Sequence, residues 1–183
     1  MSDSVKRTFT FHMLFSAFNG IAFGVATSLQ EVVAKKALNA SDFQITILYV
    51  STQFANLISV FLSNAFVGKR RIERVLLALG IVRILLAFSM LIIDSAWQFI
   101  LALWVFQLPN AIINPAQNYI VAQNYSDKLR GRKFGYSVAI ANLTGMLASI
   151  VCGNVLDIDQ SLFRGIFFAI SICGGIGSIL LGM

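Results

Sequence analysis

Five carboxamides recur along one apolar stretch of the chain: Gln107, Asn110, Asn114, Gln117 and Asn118. At about 100° of rotation per residue they fall within about a 100° arc of one helix. An amide side chain offers two donors and one carbonyl acceptor and carries no charge. Its chemistry is recognition of polar groups, not proton transfer or nucleophilic attack. Polar residues inside a bilayer are costly and usually face a bundle interior or a water-filled cavity. The stripe is therefore read as the lining of a polar pathway. The alternative is that these amides only bond neighbouring helices, at about 0.6–2 kcal/mol each. Pro109 and Pro115 lie in the same stretch; each removes a backbone donor and tends to kink a helix.

Smaller polar stripes occupy other apolar runs. Ser16, Asn19, Phe23, Thr27 and Gln30 share one face of the first, with Gly20 beside them, and Thr52, Asn56, Ser59 and Ser63 share one face of the second. In the fifth, Asn142, Gly145, Ser149 and Gly153 share a face. Small residues at that spacing suit close helix packing, which leaves Asn142 as that face's one ligand candidate. The expected solute contacts are Asn19, Gln107, Asn110, Asn114 and Gln117. Arg83 stands alone in the middle of the third run, and no carboxylate lies deep in any run. A cation there costs at least about 2.5–3.5 kcal/mol unless it finds a partner. A stripe amide, a substrate or another chain could supply one; the alternative is that Arg83 snorkels to the inner headgroups.

Enzymatic chemistry finds little support. His12 is the only histidine, and a metal site normally needs three or four His, Cys or carboxylate ligands. An intramembrane aspartyl protease needs two facing aspartates within spans, whereas Asp94 and Asp157 sit at span ends. A serine protease would have to bring His12 to a serine at depth. No phosphate-binding loop of P-loop spacing occurs. Cys152 and Cys173 lie in apolar runs and read as small buried hydrophobes, with no disulfide framework. No metal or cofactor is expected, and the chain reads as a non-enzyme.

The elements that must hold these stripes follow from composition. Of 183 residues, 57% are hydrophobic and 12% charged, with a mean hydropathy of +0.79. Soluble domains carry about twice that charge fraction, so a water-soluble domain is excluded, and disorder with it. Crossing the bilayer takes about 20 apolar residues as a helix. Six such runs occur, at about 8–30, 43–66, 75–93, 97–121, 136–156 and 163–183. They are about twice the length of a barrel strand. The fold class is all-α: a polytopic bundle of six transmembrane helices.

Loop charges orient it. Lys6, Arg7, Lys69, Arg70, Arg71, Arg74, Lys128, Arg130, Arg132 and Lys133 fall on one side, and Lys35, Lys36 and Arg164 on the other. Cationic loops stay in the cytoplasm, which places the N-terminus inside. The net charge of +6 is thus topological, and nucleic acid is not an expected partner because no basic face interleaved with exposed aromatics is present.

Two inner loops resemble those of major facilitator superfamily (MFS) transporters. Arg130-Gly131-Arg132-Lys133-Phe134-Gly135, leading into the glycine-rich fifth run, is similar to the Arg-Gly-x-x-x-Gly segment before that family's fifth helix. Gly68-Lys69-Arg70-Arg71 resembles the basic end of its motif between helices two and three, although Ala65 stands where the motif has aspartate. In the fourth run the Arg-x-x-Gln-Gly pattern keeps only Gln107, and Asn114-Pro115-Ala116 fits the later part of that helix. The resemblance implies a twelve-helix carrier of two six-helix halves working by alternating access, with residues 1–183 as the N-terminal half. It also implies a cavity lined by helices one, two, four and five, and gating roles for Lys69, Arg70, Arg71, Arg130 and Arg132.

The expected function is alternating-access transport, secondary active or facilitative, of a small polar or amphipathic solute across the plasma or inner membrane. The expected partners are that solute, the lipid bilayer and a second six-helix half from the same gene or another chain. The competing reading is a non-transporting accessory or assembly subunit whose stripes are buried against a partner.

Overall fold

In lipid no water is available to satisfy backbone N–H and C=O groups, so an apolar run of this length must close its hydrogen bonds within itself as a helix. The structure, a computed structural model, describes residues 3–66 and 72–183, with side chains over 7–61 and 72–183. Lys69, Arg70 and Arg71 lie outside the described residues. Helix α1 (Asp3–Val32) continues through a π turn (Val33–Ala37), and α2 spans Asp42–Phe66. Helix α3 (Ile72–Ala87) ends in a 3-10 segment (Phe88–Ile92); α4 (Ala96–Gln107), α5 (Asn110–Asn124), α6 (Asp127–Ile158) and α7 (Phe163–Leu181) follow. No strand occurs among the described residues.

Six segments are long and apolar enough to cross a membrane: Arg7–Ala37, Asp42–Phe61, Ile72–Ile92, Ala96–Asn124, Asp127–Ile158 and Gln160–Leu181. The protein is a multi-pass helical membrane bundle. Two boundaries differ from the hydropathy reading. The fourth span is two helices, because the chain turns at Leu108–Pro109 before α5 resumes. Pro109 donates no backbone hydrogen bond, so the helical ladder is interrupted here rather than at Pro115, which sits inside α5, while Leu108 and Pro109 keep helical dihedrals. The fifth helix starts at Asp127 instead of Tyr136. Hydropathy ends a span where charge begins, but a helix continues into water when its termini are satisfied.

Local signals set the helix ends. At the start of α2, Ser41 and Gln44 cap each other: the Ser41 N–H donates to Gln44 Oε1 (2.8 Å), and the Gln44 N–H donates to Ser41 Oγ (3.3 Å). Asn39, with φ of 50°, makes the turn before it, a left-handed conformation that asparagine tolerates. Ser95 caps α4, its hydroxyl accepting from the Gln98 N–H.

Packing divides the helices. α1 lies at the centre, most extensively against α6 and α7; α3 packs on α7, and α2 on α4 and α5. A core of Val25, Leu29, Leu48, Leu103 and Ile170 joins the groups, with Phe99 edge-on to both Phe163 and Phe167. Outward faces are apolar, including Phe61 (71% exposed), Leu85 (63%) and Ile92 (74%), as lipid contact requires. Helix α6 is the least enclosed, with only 6% of its apolar window buried.

Candidate functional site

Glycines bring α1 and α6 into backbone contact. A Cβ added at Gly145 would stand 2.7 Å from the Gly20 carbonyl oxygen, and one at Gly24 would stand 2.5 Å from the Gly145 Cα. Thr144 ties the same seam, its hydroxyl donating to the Ala17 carbonyl (3.1 Å). Beside the seam the two helices diverge into a groove of about 470 Å³ lined by Asn19, Phe23, Thr27, Ser28, Asn142 and Ser149, among others. Thr27 spends its hydroxyl on the Phe23 carbonyl (2.8 Å), whereas Asn142 is exposed. Asn19 and Asn142 both lie near the centres of their spans, where lipid solvates an amide poorly.

Directly behind Asn19 is Arg83, fully buried at 0% exposure. It does not snorkel. Its Nη1 donates to Asn19 Oδ1 (3.5 Å), the Gly174 carbonyl (3.3 Å) and Ser178 Oγ (3.3 Å), all long for hydrogen bonds. The guanidinium carbon lies 4.7 Å from the centre of the Phe106 ring, a cation–π contact. Nε and Nη2 are buried without partners. Gly174 makes the site possible: a Cβ there would come within 2.9 Å of the guanidinium. A stripe amide is thus Arg83's partner, as one of the sequence alternatives held, but the α7 groups and Phe106 were not foreseen.

The five amides of the fourth span do not share one environment. Leu108 and Pro109 keep helical dihedrals, so the stripe persists, but different helices meet it along the length of the span. Gln107 and Asn110 are buried and bonded to each other, Asn110 Nδ2 donating to Gln107 Oε1 (3.0 Å). Gln107 Nε2 donates to Thr52 of α2 (3.4 Å). Asn114 and Asn118 are exposed. Gln117 turns toward α1: its Nε2 lies 2.9 Å from His12 Nε2 and donates to Ser137 Oγ (3.2 Å). Of the five expected solute contacts, only Asn19 lines the α1–α6 groove.

His12, Ser16 and Ser137 form a second buried polar group with Gln117. Ser137 Oγ lies 2.5 Å from Ser16 Oγ and 3.1 Å from His12 Nε2, while Ser16 Oγ donates to the His12 carbonyl (2.7 Å). His12 Nε2 thus meets both the Gln117 amide and the Ser137 hydroxyl, while Nδ1 is buried with no partner among the described residues. Tyr125 closes the side, 6.3 Å from the imidazole between ring centres; burial pushes its phenol above the ordinary tyrosine range. Ser137 gave no signal in the sequence: it lies at the start of the fifth run and meets His12 only through the fold.

At the same end of the bundle Arg130 pairs with Asp127 (2.9 Å) and donates to the Ala122 carbonyl (3.0 Å). Arg132 donates to the Tyr136 hydroxyl (3.1 Å), and Lys133 lies 3.5 Å from the centre of the Phe9 ring. Arg130 and Lys133 thus tie the start of α6 to α5 and α1, whereas Arg132 stays within α6. A further cavity of about 530 Å³ opens here, with Arg7, Glu73, Tyr119 and Gln123 in its wall. The opposite end carries Arg164–Asp94 (2.5 Å) and Lys35–Asp42 (3.4 Å), with Tyr49 donating to Glu31.

Compared with known proteins, the chain matches the family model described as Major Facilitator Superfamily over residues 11–183. No curated protein matches it.

Proposed function

The chain belongs to the major facilitator superfamily, a family of transporters, and from that premise we propose that it carries a small polar or amphipathic solute by alternating access, with the α1–α6 groove on the solute path. The observation that carries this reading is the pairing of Asn19 and Asn142 across a groove of about 470 Å³ near the centres of their spans. Amides exposed at that depth need water, solute or another protein segment. The thinly buried α6 beside the groove suits the proposal that a second six-helix half closes the path. Whether that half follows in the same chain or comes from a partner, the two would rock about the groove, exposing it alternately to each side. The ten-to-three division of cations supports the proposal of a cytoplasmic N-terminus, and the plasma or inner membrane is the proposed location.

The test is a comparison of extracellular and intracellular solutes, by untargeted mass spectrometry, in cells expressing the wild type or the Asn19→Leu, Asn142→Leu double variant. Redistribution of a solute by the wild type and its loss in the variant, at equal membrane abundance, is expected. A wild type that redistributes nothing, while the double variant loses a protein partner on cross-linking, would replace this reading with the accessory-subunit one.

A further inference from the structure

Among the described residues Arg83 is a buried cation without a counterion. Its Nη1 makes only long contacts, and its Nε and Nη2 make none. The described acidic side chains lie at span ends, and most are already engaged: Glu31 with Tyr49, Asp94 with Arg164, Asp42 with Lys35, Asp127 with Arg130 and Asp157 with Lys36. A guanidinium stays protonated, and in a medium of low dielectric its field reaches well beyond its contacts. The groove walls Asn19, Phe23, Thr27, Ser28, Asn142 and Ser149 carry no charge to oppose it.

Asn19 passes that field on in a directed way. A guanidinium only donates, so the Asn19 carboxamide must turn its oxygen toward Arg83. Its Nδ2 hydrogens are then left for the groove that Asn19 lines. In this orientation Asn19 offers the groove donors, against the background of a positive charge one residue behind. Gly174 and Phe106 clamp the guanidinium from either side, so it cannot swing away to the headgroups.

Resting on the proposal that this groove is the solute path, we infer that the groove selects a solute bearing an anionic oxygen group, with Arg83 setting the sign of charge through Asn19. Arg83 is a positioning and charge-setting residue; Asn19 is the group that touches the anion.

The experiment reads the potential in the groove without needing the solute. In a Cys152→Ser, Cys173→Ser background, Asn142→Cys is labelled in native membranes with three methanethiosulfonates: neutral methyl, anionic sulfonatoethyl and cationic trimethylammonioethyl. The ratio of anionic to cationic labelling rates is compared between Arg83, Arg83→Lys and Arg83→Gln proteins. A unit charge acting over about 10 Å should move this ratio at least about fivefold. The ratio is expected to fall by that factor in Arg83→Gln and to persist in Arg83→Lys. Arg83→Met, of similar volume, takes the place of Arg83→Gln if the latter fails to insert. Labelling by the neutral reagent with an unchanged ratio overturns the anion inference alone. Failure of the neutral reagent to label Asn142→Cys overturns the groove as a solute path, and the inference with it.

Discussion

Gly145→Ala and Gly153→Ala make the same chemical change in the same helix, and the structure assigns them opposite signs. Replacing a mid-helix glycine by alanine favours the helix by about 0.8–1.0 kcal/mol when nothing else changes. At Gly153 the new methyl would meet only Leu29 Cδ2 at 3.8 Å, an ordinary contact with the far end of a flexible side chain. At Gly145 it would meet the Gly20 carbonyl oxygen at 2.7 Å and the Gly24 Cα at 3.3 Å. Both of those are backbone, so α1 and α6 must separate by roughly half an ångström or more, and such a gap forfeits about a quarter to a half of each contact it opens. This interface is the most extensive in the bundle. With two backbone atoms in the way, the cost falls in the upper part of the overpacking range, about 2–3 kcal/mol, which outweighs the helix gain. The expected net is a loss of about 1–2 kcal/mol at Gly145, or about 2–8 °C for a chain of this size, against no loss or a small gain at Gly153. Thermal unfolding of the purified variants, followed by circular dichroism, measures both. Equal or greater stability for Gly145→Ala would refute the close α1–α6 approach and the groove geometry built on it.

Arg83→Met should change stability by less than about 1 kcal/mol or raise it, because a buried charge with poor partners is often matched by an apolar residue of similar volume. Arg83→Ala should cost about 2–5 kcal/mol through the cavity it leaves, and a Met variant as unstable as the Ala variant in the same thermal assay would show that the Arg83 contacts are net stabilising. Ser137→Ala should cost about 1–3 kcal/mol by stripping partners from Ser16, Gln117 and His12. A double-mutant cycle with His12→Leu should then return a coupling of about 0.5–3 kcal/mol, whereas strict additivity would mean the cluster does not act as a unit. At the α6–α7 turn the Ser161 hydroxyl and backbone N–H hold the Asp159 carboxyl below its ordinary range. A depressed carboxylate contributes order that is present above its unfolded value and lost as pH falls through the folded one. Hydrogen exchange at the Ser161 amide, bonded to Asp159 at 2.8 Å, should therefore gain protection as pH rises through the acid range once intrinsic rates are removed, and Asp159→Asn should flatten that dependence.

The membrane class and the six spans follow from the order of residues alone, because lipid forces any apolar run of this length to close its own backbone bonds. Local pairs such as Ser41 with Gln44 are legible for the same reason: their partners lie within one turn. The small-residue face of the fifth run could be read as a seam, and Gly145 sits in one. What faces what was a different matter. A helical wheel treats Gln107 to Asn118 as one arc in one environment, whereas different helices meet that arc along its length: α2 at Gln107, and α1 with α6 at Gln117. Nothing local to Arg83 indicates Phe106, Gly174 or Ser178, which reach it from other helices. Nor does anything near His12 point to Ser137, 125 positions away. Periodicity says which face of a helix is polar, whereas the neighbour that meets that face is decided by how closely backbones can approach. That depends on a few glycines whose partners are themselves distant in the chain.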